Sequence, residues 1–171
     1  MLGDTWRMTD DELTDLAVQL GLALQAREWK LATAESCTGG WVAKLLTDSA
    51  GSSAWFERGF VTYSNAAKQD MLDVRAATLE EFGAVSERTA REMAVGALAH
   101  SKAEVALAIT GIAGPGGGSP DKPVGLVWFA WARRSGALRV AQQQFSGDRE
   151  AVRRQAVAAA LHGALRVLSD A

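Results

Sequence analysis

The sequence predicts an α/β sandwich built on a mixed sheet, and three observations carry that expectation. Strand-like segments alternate with helical ones through the first two thirds of the chain. Two later strand-like segments are joined by a short turn at Ser135-Gly136, which reads as a hairpin and makes part of the sheet antiparallel. The 171 residues are 48% hydrophobic and 22% charged, the balance of one soluble domain with a sizeable core. Residues 1–171 are therefore read as a single domain, with no internal repeat, low-complexity tract or linker.

The first helix starts at a capping box, Thr9-Asp10-Asp11-Glu12, and sets Leu13, Leu16, Ala17, Leu20 and Leu24 on one face. Trp29 to Ala34 is a short strand, and Thr38-Gly39-Gly40 opens a helix from Trp41 to about Thr47. Arg58 to Ser64 reads as a strand carrying the only tyrosine, Tyr63, in a largely buried position. Asn65 begins a short helix with Lys68, Met71 and Leu72. Ser86 caps a helix through His100 whose Ala90, Met93, Ala94, Ala97 and Leu98 face inward. Ala103 to Thr110 is a buried strand because Val105 to Ile109 is unbroken apolar sequence. Val124 to Ala132 and Leu138 to Phe145 form the hairpin, and a last helix runs from Asp148 to Leu168.

Composition removes several classes of function. Eighteen basic against twenty acidic side chains give a net charge of -2, which argues against a general nucleic-acid binder. No stretch is long and apolar enough for a membrane helix, and the polar, acidic Met1 to Asp11 is unlike a signal peptide. One cysteine, Cys37, excludes an internal disulfide and a multi-cysteine metal site, and the expected compartment is a reducing cytoplasm. The two histidines, His100 and His162, sit at helical spacing in apolar or alanine-rich stretches and read as helix-surface or helix-end residues, so neither zinc chemistry nor a histidine-based triad is expected. Six tryptophans in so short a chain point to a homo-oligomer interface.

Four segments carry residues suited to chemistry, and each also has an ordinary structural reading. Ala34-Glu35-Ser36-Cys37-Thr38-Gly39-Gly40 runs from a strand end into a helix, where free amides attract anions; it is equally a capped helix with a tight turn. Cys37 is either a thiol nucleophile or a small buried side chain. Gly51-Ser52-Ser53 followed by Lys68 offers a serine nucleophile with a lysine base, which needs no histidine; the other reading is a surface turn and a solvated lysine. Thr110 to Gly118 is dense in glycine directly after a buried strand, a cradle for a ligand or a flexible loop. It is neither a P-loop nor a dinucleotide fingerprint. Gly147-Asp148-Arg149-Glu150 opens the last helix with Arg149 and Arg153 one turn apart, either anion-binding or ordinary surface arginines.

Taken together, the sequence resembles the CinA C-terminal domain family, the nicotinamide-nucleotide amidases. Residues 34–40 and 51–53 carry the likeness together with Val61-Thr62-Tyr63-Ser64-Asn65, Lys68, Gly83-Ala84-Val85-Ser86, residues 110–115, Lys122-Pro123-Val124-Gly125 and residues 147–150. The resemblance implies a three-layer α/β/α sandwich and hydrolysis of nicotinamide mononucleotide (NMN) to nicotinate mononucleotide and ammonia, in pyridine nucleotide recycling. It implies Ser53 as nucleophile, Lys68 as its base and Tyr63 assisting. Ser36, Thr38, Gly39, Thr110, Gly111 and Arg149 would bind substrate, Arg149 through the phosphate. No metal or cofactor, no nucleic acid and no membrane is implied. The same anion-friendly loops would also serve a non-catalytic nucleotide-binding regulatory module.

Overall fold

The computed structural model describes residues 6–170. Its elements in order are α1 (Asp10–Ala26), β1 (Leu31–Glu35), α2 (Trp41–Thr47), a single 3-10 turn (Ser52–Ala54), β2 (Phe56–Val61), α3 (Asn65–Leu72), α4 (Ala76–Phe82), α5 (Glu87–Ala99), β3 (Val105–Gly111), β4 (Leu126–Arg133), β5 (Leu138–Gln144) and α6 (Arg149–Ser169). The five strands form one sheet in the order β2-β1-β3-β4-β5. β2, β1 and β3 run parallel, and β4 and β5 are antiparallel additions. The mixed α/β sandwich is as expected.

The helices begin where local chemistry says they should. Thr9 and Glu12 close the capping box reciprocally, Thr9 N donating to Glu12 Oε2 at 2.7 Å and Glu12 N to Thr9 Oγ1 at 3.2 Å. Ser64, Ser86 and Asp148 accept from the third residue of α3, α5 and α6. All five apolar residues assigned to the inner face of α1, and all five of α5, are buried. The β4–β5 turn falls at Gly136, whose φ of +104° suits a residue without Cβ. Two elements have no counterpart in the sequence reading: α4, and the 3-10 turn that holds Ser53.

Strand alternation assigns the two cores. Leu31 of β1 and Val105, Leu107 and Ile109 of β3 pack with Val127, Phe129 and Trp131 under α1, α2 and α6. Ala32, Ala34, Ala106, Ala108, Ala130 and Ala132 pave the opposite face, where such small side chains let α5 lie close to the sheet. Trp55 and Trp131 belong to the first core, and Trp6, Trp29 and Trp41 pack partly buried against it. Trp128 packs partly buried against the second core. Among the described residues no helix is long and apolar enough to cross a membrane.

β2 is shorter than expected and ends at Val61, leaving Tyr63 just beyond it, 60% exposed. The expectation of a buried tyrosine fails because β2 is a sheet edge, with β1 on one side and no strand on the other.

Candidate active site

β1 lies between two parallel neighbours and is buried along its whole length. From its carboxyl end the chain turns toward β2, whereas from β3 it turns toward β4. Connections that diverge in this way open a crevice at the strand ends, the usual ligand position in α/β sheets. Ser36 is the first residue beyond β1, pinned by its own N–H to Ile109 O at 3.0 Å. On the other side, Thr62 N donates to Glu35 O at 2.8 Å. Thr62, Ser36 and Thr110 are thus neighbours across three strand ends.

Alternation then separates two side chains that are adjacent in sequence. Ala32, Ala34 and Ser36 share the α5 side of the sheet, while Leu31 and Glu35 share the α2 side. α3 lies on the α5 side, and its fourth residue is Lys68. The Lys68 Nζ reaches Ser36 Oγ at 2.8 Å, Thr62 O at 2.8 Å and Tyr63 O at 3.5 Å. Those three acceptors satisfy the three N–H bonds of an ammonium. The side chain is 1% exposed and faces no carboxylate among the described residues. Burial pushes its pKa down from 10.5 to about 8, so a substantial neutral fraction exists near neutral pH.

The serine at Lys68 is therefore Ser36, and the expected pairing with Ser53 is not formed. Ser53 is exposed on the 3-10 turn that leads into the amino end of β2. There Leu31 N donates to Trp55 O, at the opposite end of β1 from Ser36. Two serines of the sequence reading thus exchange places: Ser36, expected to bind substrate, meets the lysine, and Ser53 lies a strand's length away.

The other expected site residues divide. Thr110 Oγ1 donates to Ala84 O at 2.8 Å, which fixes it beside Ser36 and ties β3 to the loop before α5. Arg149 bridges the mouth, Nη1 to Gly114 O at 2.8 Å and Nη2 to Tyr63 Oη at 2.9 Å. Thr38 is fully buried, but its hydroxyl donates to Glu35 at 2.6 Å and so serves the turn. Gly39 adopts a φ of +60° within that turn. Gly111 meets β4 rather than the crevice: a Cβ there would lie 2.6 Å from Val127 Cγ2, so its smallness serves strand packing. Cys37 is buried, and burial pushes its thiol up to about 12, leaving it an un-ionised side chain rather than a nucleophile.

The histidines lie at a helix end and within a helix. His100 closes α5 and pairs with Asp73, and His162 on α6 packs edge-on against Trp6. Among the described residues no three His, Cys, Asp or Glu side chains converge as metal ligands.

Two residues carry more of the site than sequence reasoning assigned. Glu35 is buried with its carboxylate on Thr38 Oγ1 and on the amides of Val42 and Ala43. Arg153 donates to the carbonyls of Cys37 and Thr38. The signal for Glu35 was present, since a charged residue directly after four uncharged residues of a buried strand needs a specific set of donors.

Comparison with known proteins follows the same outline. The CinA C-terminal domain model matches residues 13–168. The "Nicotinamide-nucleotide amidohydrolase PncC" of Escherichia coli K12 is 62% identical over 90% of this chain and 93% of its own length. The protein of the same name from Enterobacter agglomerans is 57% identical over 93% of this chain and 97% of its own. Among solved structures, the competence/damage inducible protein CihA from Agrobacterium tumefaciens superposes with a TM-score of 0.90 at 47% identity, covering 95% of this chain and 97% of that one. From its first core helix to its last, this chain belongs to the CinA C-terminal domain family.

Proposed function

We propose that this chain hydrolyses the carboxamide of NMN to nicotinate mononucleotide and ammonia, with Ser36 as nucleophile and Lys68 as its base. The observation that carries the reading is the buried Lys68–Ser36 contact at 2.8 Å. The names of the relatives supply the substrate. In its neutral form Lys68 keeps two N–H bonds for the Thr62 and Tyr63 carbonyls and turns its lone pair to the Ser36 hydroxyl. Ser36 Oγ attacks the carboxamide carbon while its proton passes to Nζ. The resulting ammonium returns that proton to the departing nitrogen, so ammonia leaves and an ester remains on Ser36. Water, deprotonated by the same lysine, cleaves the ester and restores the hydroxyl. The pyridinium charge makes the carboxamide more electrophilic and, as a like charge, favours neutral Lys68. Arg149 and Tyr63, joined at the exposed mouth, would receive the phosphate end; their 2.9 Å contact supports this reading.

The test is ammonia release from NMN by the wild type and by Ser36→Ala, Lys68→Met and Ser53→Ala. Turnover is expected to vanish in the first two variants and persist in the third. Turnover by Ser36→Ala would overturn the assignment of the nucleophile. Binding of NMN by the wild type without ammonia release would make the domain a binding module instead.

A further inference from the structure

The turn after Ser36 is held from two sides, and the hydrogen bonds leave over the amides of Cys37, Thr38 and the partly exposed Gly40. Ser36 N–H is spent on Ile109 O, Gly39 N–H on Ser36 O, and Trp41 N–H on Thr38 O. Val42 and Ala43 N–H are spent on Glu35. Among the described residues the Thr38 amide has no acceptor and the Cys37 amide meets only its own thiol, although both residues are buried, at 0% and 6% exposure. A buried amide without a partner is rare and costs about 1–3 kcal/mol.

Arg153 decides where one of them points. Its Nε donates to Cys37 O at 3.1 Å and its Nη2 to Thr38 O at 3.2 Å. The Cys37 carbonyl and the Thr38 N–H belong to one trans peptide plane and project in opposite directions. Drawing that carbonyl toward α6 therefore aims the Thr38 N–H away from α6, toward the side of the sheet that holds Ser36 and Lys68. Glu35 secures the other edge of the turn, joining the Thr38 hydroxyl to the start of α2.

We propose that the Cys37 and Thr38 amides form the oxyanion hole of the reaction, and that Glu35 and Arg153 are positioning residues that hold the turn presenting them. This rests on the assignment of Ser36 as nucleophile. The residue after the nucleophile supplies a donor because the nucleophile's own N–H is already used. Neither positioning side chain touches the substrate. Their loss lowers kcat and leaves substrate binding as it was.

Four variants and one backbone exchange test it with NMN as the probe, each checked for a native circular dichroism spectrum. Replacing Thr38 by its α-hydroxy acid counterpart turns the amide into an ester and deletes the N–H with the side chain intact. It should lower kcat about 100-fold with KM within about threefold of wild type. Arg153→Met and Glu35→Gln should lower kcat in the same sense, with the pH midpoint of kcat/KM unmoved because Lys68 is untouched. Arg153→Lys, with one compact donor group for two carbonyls, should fall between Met and wild type. Wild-type kcat in the ester enzyme overturns the oxyanion assignment. A rise in KM at constant kcat in Arg153→Met overturns its positioning role and makes it a substrate ligand. Ser36→Ala in the same series separates the levels: if it turns over, the nucleophile is wrong and both readings fall. If it is dead and the ester enzyme is fully active, only the hole is wrong.

Discussion

Replacing Lys68 by methionine isolates what burial of this ammonium costs the fold. Among the described residues no carboxylate faces it, and burial lowers its pKa from 10.5 to about 8. That interval corresponds to a penalty of about 3 kcal/mol on the charged form. Below pH 8 both the folded and the unfolded chain hold the proton, and the folded state bears the whole penalty. Between about 8 and 10.5 the unfolded chain keeps a proton that the folded one has released, so folded-state stability rises with pH. Above 10.5 neither holds it and the penalty is gone. The methionine variant lacks this dependence, while the contacts it loses at the Thr62 and Tyr63 carbonyls offset the two proteins by an amount that does not follow the titration. From pH 7 to pH 10 the wild type should therefore gain about 2.5 kcal/mol relative to Lys68→Met. Urea unfolding of both proteins at pH 7, 8.5 and 10 measures the gap directly. A gap that stays constant across that range would mean that Lys68 titrates at its ordinary value, and the neutral base would lose its physical support.

Three further outcomes follow from the same geometry. For the wild type, kcat/KM for NMN should climb through a limb centred near pH 8, because only neutral Lys68 accepts the Ser36 proton; a profile flat from pH 7 to 9 would contradict this. Gly96→Ala would drive a Cβ into the Leu72 carbonyl, where α5 crosses the end of the helix that carries Lys68. It should cost about 3 kcal/mol in a denaturant titration and lower kcat together with stability. Asp148→Ala removes the cap on Ala151 N, 2.9 Å away, and should cost about 1 kcal/mol, read as a thermal midpoint lower by about 3 °C.

Helix starts and buried helix faces were legible because both depend on spacing within one segment. The Thr9–Glu12 box, the Ser86 and Asp148 caps and the inner faces of α1 and α5 are all properties of neighbours three or four residues apart. The shortness of β2 was not legible, since an edge strand and a central strand have similar local patterns until their neighbours are known. Tyr63 was misplaced for that reason. α4 was missed because Arg75 offers no side-chain cap and the helix buries only Thr78 fully.

The site shows the same division. The inventory was legible before any fold was known: a buried-strand end carrying Glu35, Ser36 and Cys37, a lysine in a short helix, a glycine-dense loop and two arginines one turn apart. Residue type and local spacing suffice for that. Which serine meets Lys68 was decided only by tertiary structure. Ser53 and Ser36 both precede Lys68 within a few tens of residues, but Ser53 enters β2 at its amino end and Ser36 leaves β1 at its carboxyl end. Parallel register puts those positions at opposite ends of the sheet, and the two-residue alternation of β1 turns Ser36 toward α3 and Glu35 toward α2. Register and face are set by the packing of strands and helices distant in sequence, so no local pattern encodes which hydroxyl the lysine reaches.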